Sequence, residues 1–135
     1  MNTRILLIAY ATLGGALGTA ARYIVTTVVQ SRVTTTFPVG TWLINVSGSI
    51  LLGFLMRYGL ERSTASPEIR LLLTTGFCGG YTTFSTFSYE TARLMEDGDW
   101  RQSALYIVAS FTVALAGTFA GFALARGLTG PVKEG

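Results

Sequence analysis

Long apolar stretches without a charged residue alternate with short polar segments along the chain. Four such stretches contain no Asp, Glu, Lys or Arg, at 5–21, 33–56, 71–89 and 102–125. A helix needs about 20 residues to cross the hydrocarbon core of a bilayer, which is roughly 30 Å thick. The pattern therefore predicts four membrane-spanning helices. Their expected positions are about 5–29, 39–58, 69–94 and 103–125.

The four spans and their connections occupy nearly all 135 residues, so we expect one membrane domain over 1–135. The predicted fold class is all-α, because lipid offers backbone groups no hydrogen-bond partners. A cleaved signal peptide is the alternative interpretation of the first stretch. The apolar core of a signal peptide is only about 7–15 residues long, whereas this pattern continues past Arg22. We therefore expect a multi-pass protein in the lipid bilayer.

Composition agrees with this class and excludes several chemistries. Only 13% of the residues are charged, compared with about 25% in soluble domains. The chain has no His and a single Cys, Cys78, which excludes a His/Cys zinc site, a Cys–His nucleophile pair and an internal disulfide. The net charge is +3, but the basic residues stand singly, so no nucleic-acid partner is expected. An intramembrane enzyme is disfavoured by the missing His and the lack of a clustered acid–base pair.

The charges outside the spans specify the orientation only weakly. With four spans, one face carries Arg4, Arg57, Arg62, Arg70, Arg126 and Lys133, and the other carries Arg22, Arg32, Arg93 and Arg101. Orientation follows the Lys/Arg excess of short loops, and six against four is a small excess. If both orientations are populated, an antiparallel homodimer can form, with its twofold axis in the membrane plane.

Small residues recur at helical spacing in the first and last spans. Gly14 and Gly18 form one Gly-xxx-Gly pair, and Gly117 and Gly121 form another. Such pairs let helix backbones approach closely in lipid. Packing within one subunit and contact between subunits are both compatible with this pattern.

The third predicted span has an unusual sequence, GFCGGYTTFSTFSYE over 76–90. Glycines followed by threonines form a poor continuous helix, since Gly costs about 1 kcal/mol relative to Ala. We therefore expect a break near 79–83. Inside a membrane, carbonyl groups freed by such a break can coordinate a cation, and a simple kink is the alternative interpretation.

Two aromatic rings follow this predicted break. Phe84 and Phe87 are three residues apart and share one helix face, with Ser85 and Thr86 between them. A phenyl ring has a positive edge, so two rings turned edge-on can partly replace the water around a small anion. Aromatic residues at this spacing also commonly serve packing alone.

Polar side chains lie inside the other spans. Asn45 of the second span carries two N–H donors, which suit an anion and suit a neighbouring helix equally well. Tyr106 and Ser110 place two hydroxyl groups four residues apart in the fourth span. Arg22 either attracts an anion or extends toward the membrane interface. For Glu90, near the end of the third span, we expect a structural role.

Together these residues resemble the small four-helix fluoride channels of the Fluc type. The resemblance covers essentially the whole chain. Its most specific part is GFCGGYTTFSTFS at 76–88, accompanied by GGALG at 14–18, RY at 22–23, GT at 40–41, Asn45 and Gly48. It implies an antiparallel, dual-topology homodimer with two fluoride pathways, in which the third helix of each subunit is broken in mid-membrane.

The resemblance also assigns roles to individual residues. It implies that Asn45 is the pore asparagine and that the ring edges of Phe84 and Phe87 face the fluoride ions. Ser85, Thr86 and Arg22 are expected along the same pathway. The backbone carbonyls of Gly79 and Thr82, two from each subunit, are expected to hold a structural sodium ion at the dimer centre. Tyr106 and Ser110 match a polar track on the fourth helix. The chain departs from this track after Ser110, because Ala114 stands where some relatives carry a hydroxyl group.

The implied function is passive, fluoride-selective export across the plasma (inner) membrane, which reduces fluoride toxicity. The logic is weak-acid trapping: neutral HF crosses lipid, dissociates inside the cell, and the anion needs a conducting route out. A small dual-topology, cation-coupled multidrug exporter is the alternative. Such a carrier requires an acidic residue deep in a span. Glu90 is the only candidate within the spans. A structural membrane subunit is a further alternative.

Overall fold

All regular structure in the described part of the chain is helical. The structure is a computed structural model that describes residues 2–62 and 65–129, so Lys133 of the charge count lies outside the described residues. Its elements are α1 (Thr3–Gln30), α2 (Val39–Arg62), α3 (Pro67–Leu71), a π-helix (Leu72–Cys78), α4 (Gly79–Tyr81), α5 (Phe84–Glu96) and α6 (Trp100–Thr129).

Three of these helices are long and apolar enough to cross a membrane. The three segments are Thr3–Gln30, Val39–Gly59 and Trp100–Leu128. They contain the first, second and fourth predicted spans, and this confirms the expectation of an all-α integral membrane protein. The remaining predicted span, 69–94, is not one long helix in the structure, because α3, the π-helix, α4 and α5 divide it.

Capping side chains and one glycine turn set several helix boundaries. The side chain of Asn2 accepts the backbone N–H of Arg4 at the start of α1, and the hydroxyl of Ser66 accepts that of Ile69 at the start of α3. Gly98 has a φ of 80° in the turn between α5 and α6, a conformation that favours glycine. These signals keep the connections short.

The helical path is interrupted between α4 and α5. Thr82 and Thr83 have extended backbone angles, with φ and ψ of −85° and 160° and of −153° and 116°. The Thr83 hydroxyl accepts the N–H of Thr86 at 3.2 Å and so caps α5. The interruption lies within the predicted range 79–83.

Glycines allow α1 to lie directly against the π-helix. A Cβ atom at Gly14 would overlap the carbonyl oxygen of Leu72, and one at Gly18 would overlap that of Phe77. Gly76 faces the same contact from the π-helix. The first Gly-xxx-Gly pair therefore serves packing within the chain.

The second Gly-xxx-Gly pair brings α6 against α2, which is the most extensive helix contact in the subunit. A Cβ atom at Gly121 would overlap the Ile50 carbonyl oxygen, and one at Gly117 would lie 3.0 Å from the Ile50 side chain. The interpretation of these glycines as packing residues within one subunit is thus confirmed for both pairs.

The distribution of side chains is that of a protein in lipid. Apolar residues such as Ile8, Leu115 and Phe119 are 61–65% exposed. Buried positions include polar residues, namely Thr41, Thr74, Thr83, Thr91 and Ser103. Lipid tails solvate the apolar exterior, and the polar groups find their partners inside the subunit.

The packing of α6 on α2 predicts opposite effects for two glycines of α6. Gly121→Ala is expected to destabilise the protein by about 1–3 kcal/mol, because the methyl group overpacks the contact with α2. A Cβ atom at Gly127 meets nothing within 4 Å, so Gly127→Ala is expected to be neutral or slightly stabilising through helix propensity. The measurement is the thermal midpoint in detergent. Equal midpoints for the two variants would contradict this packing account.

Candidate functional site: the interrupted helix and its cavity

The side chain of Asn45 holds the interruption between α4 and α5. Its Oδ1 accepts the N–H of Thr83 at 2.7 Å, and its Nδ2 donates to the carbonyl oxygen of the same residue at 3.1 Å. The side-chain amide of Asn45 thus satisfies the backbone N–H and the backbone carbonyl of Thr83, and one N–H of Asn45 remains for another acceptor. The interpretation of Asn45 as a link between helices is confirmed, and the remaining donor leaves its role toward an anion as a prediction.

Two residues of α1 reach the carbonyl groups around the interruption. Nη1 of Arg22 donates to the carbonyl oxygen of Thr82 at 3.2 Å, and the hydroxyl of Thr19 donates to that of Gly80 at 3.4 Å. In a continuous helix the carbonyl of Gly79 would accept the N–H of Thr83, but that N–H is bound to Asn45. Gly79 therefore loses its helical partner.

These carbonyl groups fit the neutral oxygen donors expected for a monovalent cation. Gly79 lies at the exposed surface of the subunit, where its carbonyl is not needed by its own helix. The described residues contain no group of three His, Cys, Asp or Glu side chains that could hold a metal ion. A site built here would thus use backbone oxygens from Gly79 and Thr82, and a divalent ion would normally recruit carboxylates.

A cavity of about 370 Å³ lies beside the interruption, between α2, α5 and α6. Its lining residues are Asn45, Gly48, Ser49, Leu52, Thr82, Thr83, Phe84, Phe87, Ser110, Phe111, Ala114, Leu115 and Thr118. None of these described lining residues is charged. The cavity combines neutral hydrogen-bonding groups with aromatic and aliphatic surface, and it opens at the surface of the subunit.

The hydroxyl of Ser110 stands out among the lining groups. Its Oγ is buried and has no hydrogen-bond partner within residues 2–62 and 65–129. The hydroxyl of Ser49, by contrast, donates to the carbonyl oxygen of Asn45 at 2.7 Å. A buried polar atom without a partner costs about 1–3 kcal/mol. An acceptor placed in the cavity would receive this donor together with the remaining N–H of Asn45.

The two predicted phenylalanines both line the cavity but differ in burial. Their ring centroids are 5.6 Å apart, with planes inclined by 39°. Phe87 is 7% exposed and packs on Tyr106 and Phe111, at centroid distances of 5.0 and 6.1 Å. Phe84 is 71% exposed. The ring of Phe87 is therefore packed against α6, whereas most of the Phe84 side chain is left uncovered within this subunit.

Four predicted pathway residues do not line this cavity. They are Arg22, Ser85, Thr86 and Tyr106. The guanidinium of Arg22 reaches the backbone of Thr82, as described above. Ser85 and Thr86 lie at the start of α5, where their hydroxyls are 3.3 and 3.0 Å from that of Thr83.

Tyr106 is fully buried in a separate polar cluster. Its hydroxyl donates to Oε2 of Glu90 at 2.8 Å, and the hydroxyl of Thr41 donates to Oε1 of Glu90 at 2.9 Å. Glu90 thus joins three helices, as its expected structural role suggests. The sequence does not indicate these partners of Glu90, since no pattern within one helix shows which residues of other helices will contact it.

The polar track on α6 has a gap and then a further hydroxyl. Ala114 lines the cavity without a polar group, and Thr118, one turn later, also lines it. Thr118 is not among the residues predicted from the sequence. The spacing of four residues that links Ser110, Ala114 and Thr118 is the signal that could have found it.

Comparisons with known proteins agree on one family. Residues 9–122 match the family model described as CrcB-like protein, Camphor Resistance (CrcB). A Chlorobaculum tepidum protein named "Fluoride-specific ion channel FluC" is 48% identical over 113 residues, which are 84% of this chain and 89% of the relative. Proteins of the same name from Geobacter sulfurreducens and Rhizobium meliloti are 46% and 45% identical. These two matches cover 84% and 85% of this chain and 92% of each relative. With matches of this extent, the chain belongs to the CrcB-like family.

Proposed function

We propose that the protein is a passive, fluoride-selective channel, with the cavity beside the interrupted helix as part of its pathway. The observation that carries this proposal is the neutral lining of the cavity, which contains hydrogen-bond donors and aromatic rings but no charged side chain. A full positive charge would bind the ion too tightly to release it. The relatives named above are called fluoride-specific ion channels, and this supports the same function. A channel needs no enzymatic step.

The groups that would replace the hydration shell of fluoride come from three helices. Asn45 contributes an N–H from α2, Ser110 an O–H from α6, and Phe84 and Phe87 the positive edges of their rings from α5. Each of these interactions is weak compared with an ion pair. Several weak contacts favour entrance and release of an anion, whereas one strong site would hold it.

The open side of this cavity supports an antiparallel, dual-topology homodimer. Phe84 is largely exposed although it lines the cavity, and Gly79 is exposed with open space where a Cβ atom would lie. Gly79 has ordinary helical angles, φ −64° and ψ −37°, so its own backbone does not require glycine. A second copy packed on this face would complete the pathway and make use of the missing side chain. The nearly balanced charges of the two faces allow the opposite insertion that such a pair needs.

In this proposal the segment from α3 to α5 crosses the membrane as two half-helices. It would be the third of four spans in chain order, and its interruption would lie in mid-membrane. Carbonyl oxygens of Gly79 and Thr82 from both subunits would hold a structural sodium ion, which would supply positive charge where unpaired backbone dipoles converge. The protein would lie in the plasma (inner) membrane. Outward conduction there would release fluoride, which is trapped in the cytoplasm as the anion of a weak acid.

The contacts of Glu90 favour a structural role over that of the coupling carboxylate that a cation-coupled multidrug exporter needs. Both oxygens of Glu90 accept hydrogen bonds from side chains, those of Thr41 and Tyr106. A carboxylate held on both oxygens serves as a structural link between helices.

The proposed function predicts rapid fluoride efflux, with far slower chloride efflux, from liposomes that contain the purified protein. Ion-selective electrodes read in parallel measure both. Phe84→Ile is expected to lower fluoride efflux by about tenfold, because it removes a positive ring edge while keeping bulk. Phe119→Ile is the matched control, since Phe119 is also exposed but does not line the cavity.

Two outcomes would contradict this proposal, the first for the channel itself and the second for the role of Phe84. The first is fast chloride efflux or the absence of fluoride efflux in the wild-type protein. The second is equal fluoride efflux in the Phe84 and Phe119 variants, which would remove Phe84 from the pathway.

Substitutions of Asn45 are expected to separate its anion-binding role from its structural role. Asn45→Asp keeps an acceptor for the N–H of Thr83, whereas Asn45→Ser is too short to reach it. A carboxylate also repels the anion and lacks the N–H donors. Fluoride efflux should therefore fall more in Asn45→Asp, by at least about tenfold, and thermal stability should fall more in Asn45→Ser. If the less stable variant is also the less conductive one, Asn45 acts only as a link between helices.

The dual topology predicts that one loop is accessible from both sides of the membrane. A cysteine in the exposed connection between α1 and α2, Thr34→Cys, should react with an impermeant maleimide in comparable fractions from outside and inside. Wild-type protein is the unlabelled control, because Cys78 is 1% exposed. Labelling from a single side would eliminate the antiparallel dimer.

A further inference from the structure

The guanidinium of Arg22 lies inside the helical body rather than at its end. Eight residues of α1 follow Arg22, which correspond to about 12 Å of helix. The side chain is half-buried, and Nη1 donates to the carbonyl oxygen of Thr82. Its charge is therefore directed at the interruption between α4 and α5.

The interruption competes with a continuous helix, and hydrogen bonds decide between the two. A continuous helix would pair the N–H of Thr83 with Gly79 and the N–H of Thr86 with Thr82. In the structure these N–H groups bind Oδ1 of Asn45 and Oγ1 of Thr83 instead. An unpaired backbone group in lipid costs several kcal/mol, so the interrupted form persists only if side chains replace the lost partners.

Arg22 is the replacement partner on the carbonyl side. Without its N–H group, the Thr82 carbonyl could regain a partner by drawing back the N–H of Thr86, which would extend α5 through the interruption. In that conformation the carbonyl would point along the helix axis. Asn45 and Thr83 hold N–H groups in place, but neither donates to the carbonyl of Thr82.

We infer that Arg22 is a positioning residue that holds the carbonyl of Thr82 in the orientation required by the proposed sodium site. This inference rests on the sodium ion of the proposed function. A carbonyl oxygen has two lone pairs, so it can accept the guanidinium and still contact a cation. The guanidinium also repels that cation, which weakens binding. The conformation in which α5 extends through the interruption, however, has no sodium site. Loss of the Arg22 donor therefore weakens sodium binding more than relief of the charge repulsion strengthens it.

The test compares two replacements that keep the side-chain stem. Arg22→Lys retains a cationic donor, and Arg22→Met has similar reach but no donor. The measured quantity is the sodium concentration that raises the thermal midpoint of the purified protein by a fixed amount above its sodium-free value, titrated against a large organic cation. We expect Arg22→Met to require about ten times more sodium than wild type, since a charge-assisted hydrogen bond is lost, and Arg22→Lys to stay within a few-fold. Arg32→Ala, an exposed charge near the end of the same helix, should match wild type.

Recovery at high sodium separates positioning from simple misfolding. Arg22→Met is expected to show the same rise in thermal midpoint as wild type once the sodium concentration is raised about tenfold, because the ligand then stabilises the conformation that Arg22 otherwise holds. An unchanged or lower sodium requirement in Arg22→Met, or no rise at any sodium concentration, would overturn the inference. Fluoride efflux of the wild-type protein is measured separately. Efflux without any sodium dependence of the thermal midpoint would overturn the inference and leave the channel intact.

Discussion

The rest of the site depends on the two hydrogen bonds between the side chain of Asn45 and the backbone N–H and carbonyl of Thr83. In lipid, a helix can stop only where other groups take over its hydrogen bonds. The amide of Asn45 accomplishes this from α2, and it thereby fixes where α4 ends and α5 begins. The position of Phe84, the freed carbonyl of Gly79 and the shape of the cavity all follow from that boundary.

Close helix packing brings these partners within reach. Gly14 and Gly18 let α1 approach the π-helix until backbones touch, and this places Arg22 one turn later beside the carbonyl of Thr82. On the other side, Gly121 brings α6 against α2, so that Ser110 and Asn45 line one cavity. Small residues thus organise a polar interior that larger side chains would hold apart.

The sequence patterns predicted the helical class, three of the long helices and the range of the interruption, because these depend on hydrophobicity and on local conformational cost. They could not predict the π-helix over Leu72–Cys78, since its register depends on packing against α1. For Asn45 they allowed two roles, and only the position of Thr83 shows that the link between helices is made. The partners of Glu90, on α2 and α6, likewise depend on tertiary contacts.

The lengths of α1 and α6, 28 and 30 residues, correspond to about 42 and 45 Å of helix. A hydrocarbon core is roughly 30 Å thick, so these helices must tilt or project their ends, at a cost of fractions of a kcal/mol for each ångström of mismatch. Because α6 forms one wall of the cavity, its tilt and the geometry of that wall are coupled. The thickness of the surrounding bilayer therefore affects the geometry of the cavity, and that thickness is set by the lipids rather than by the protein.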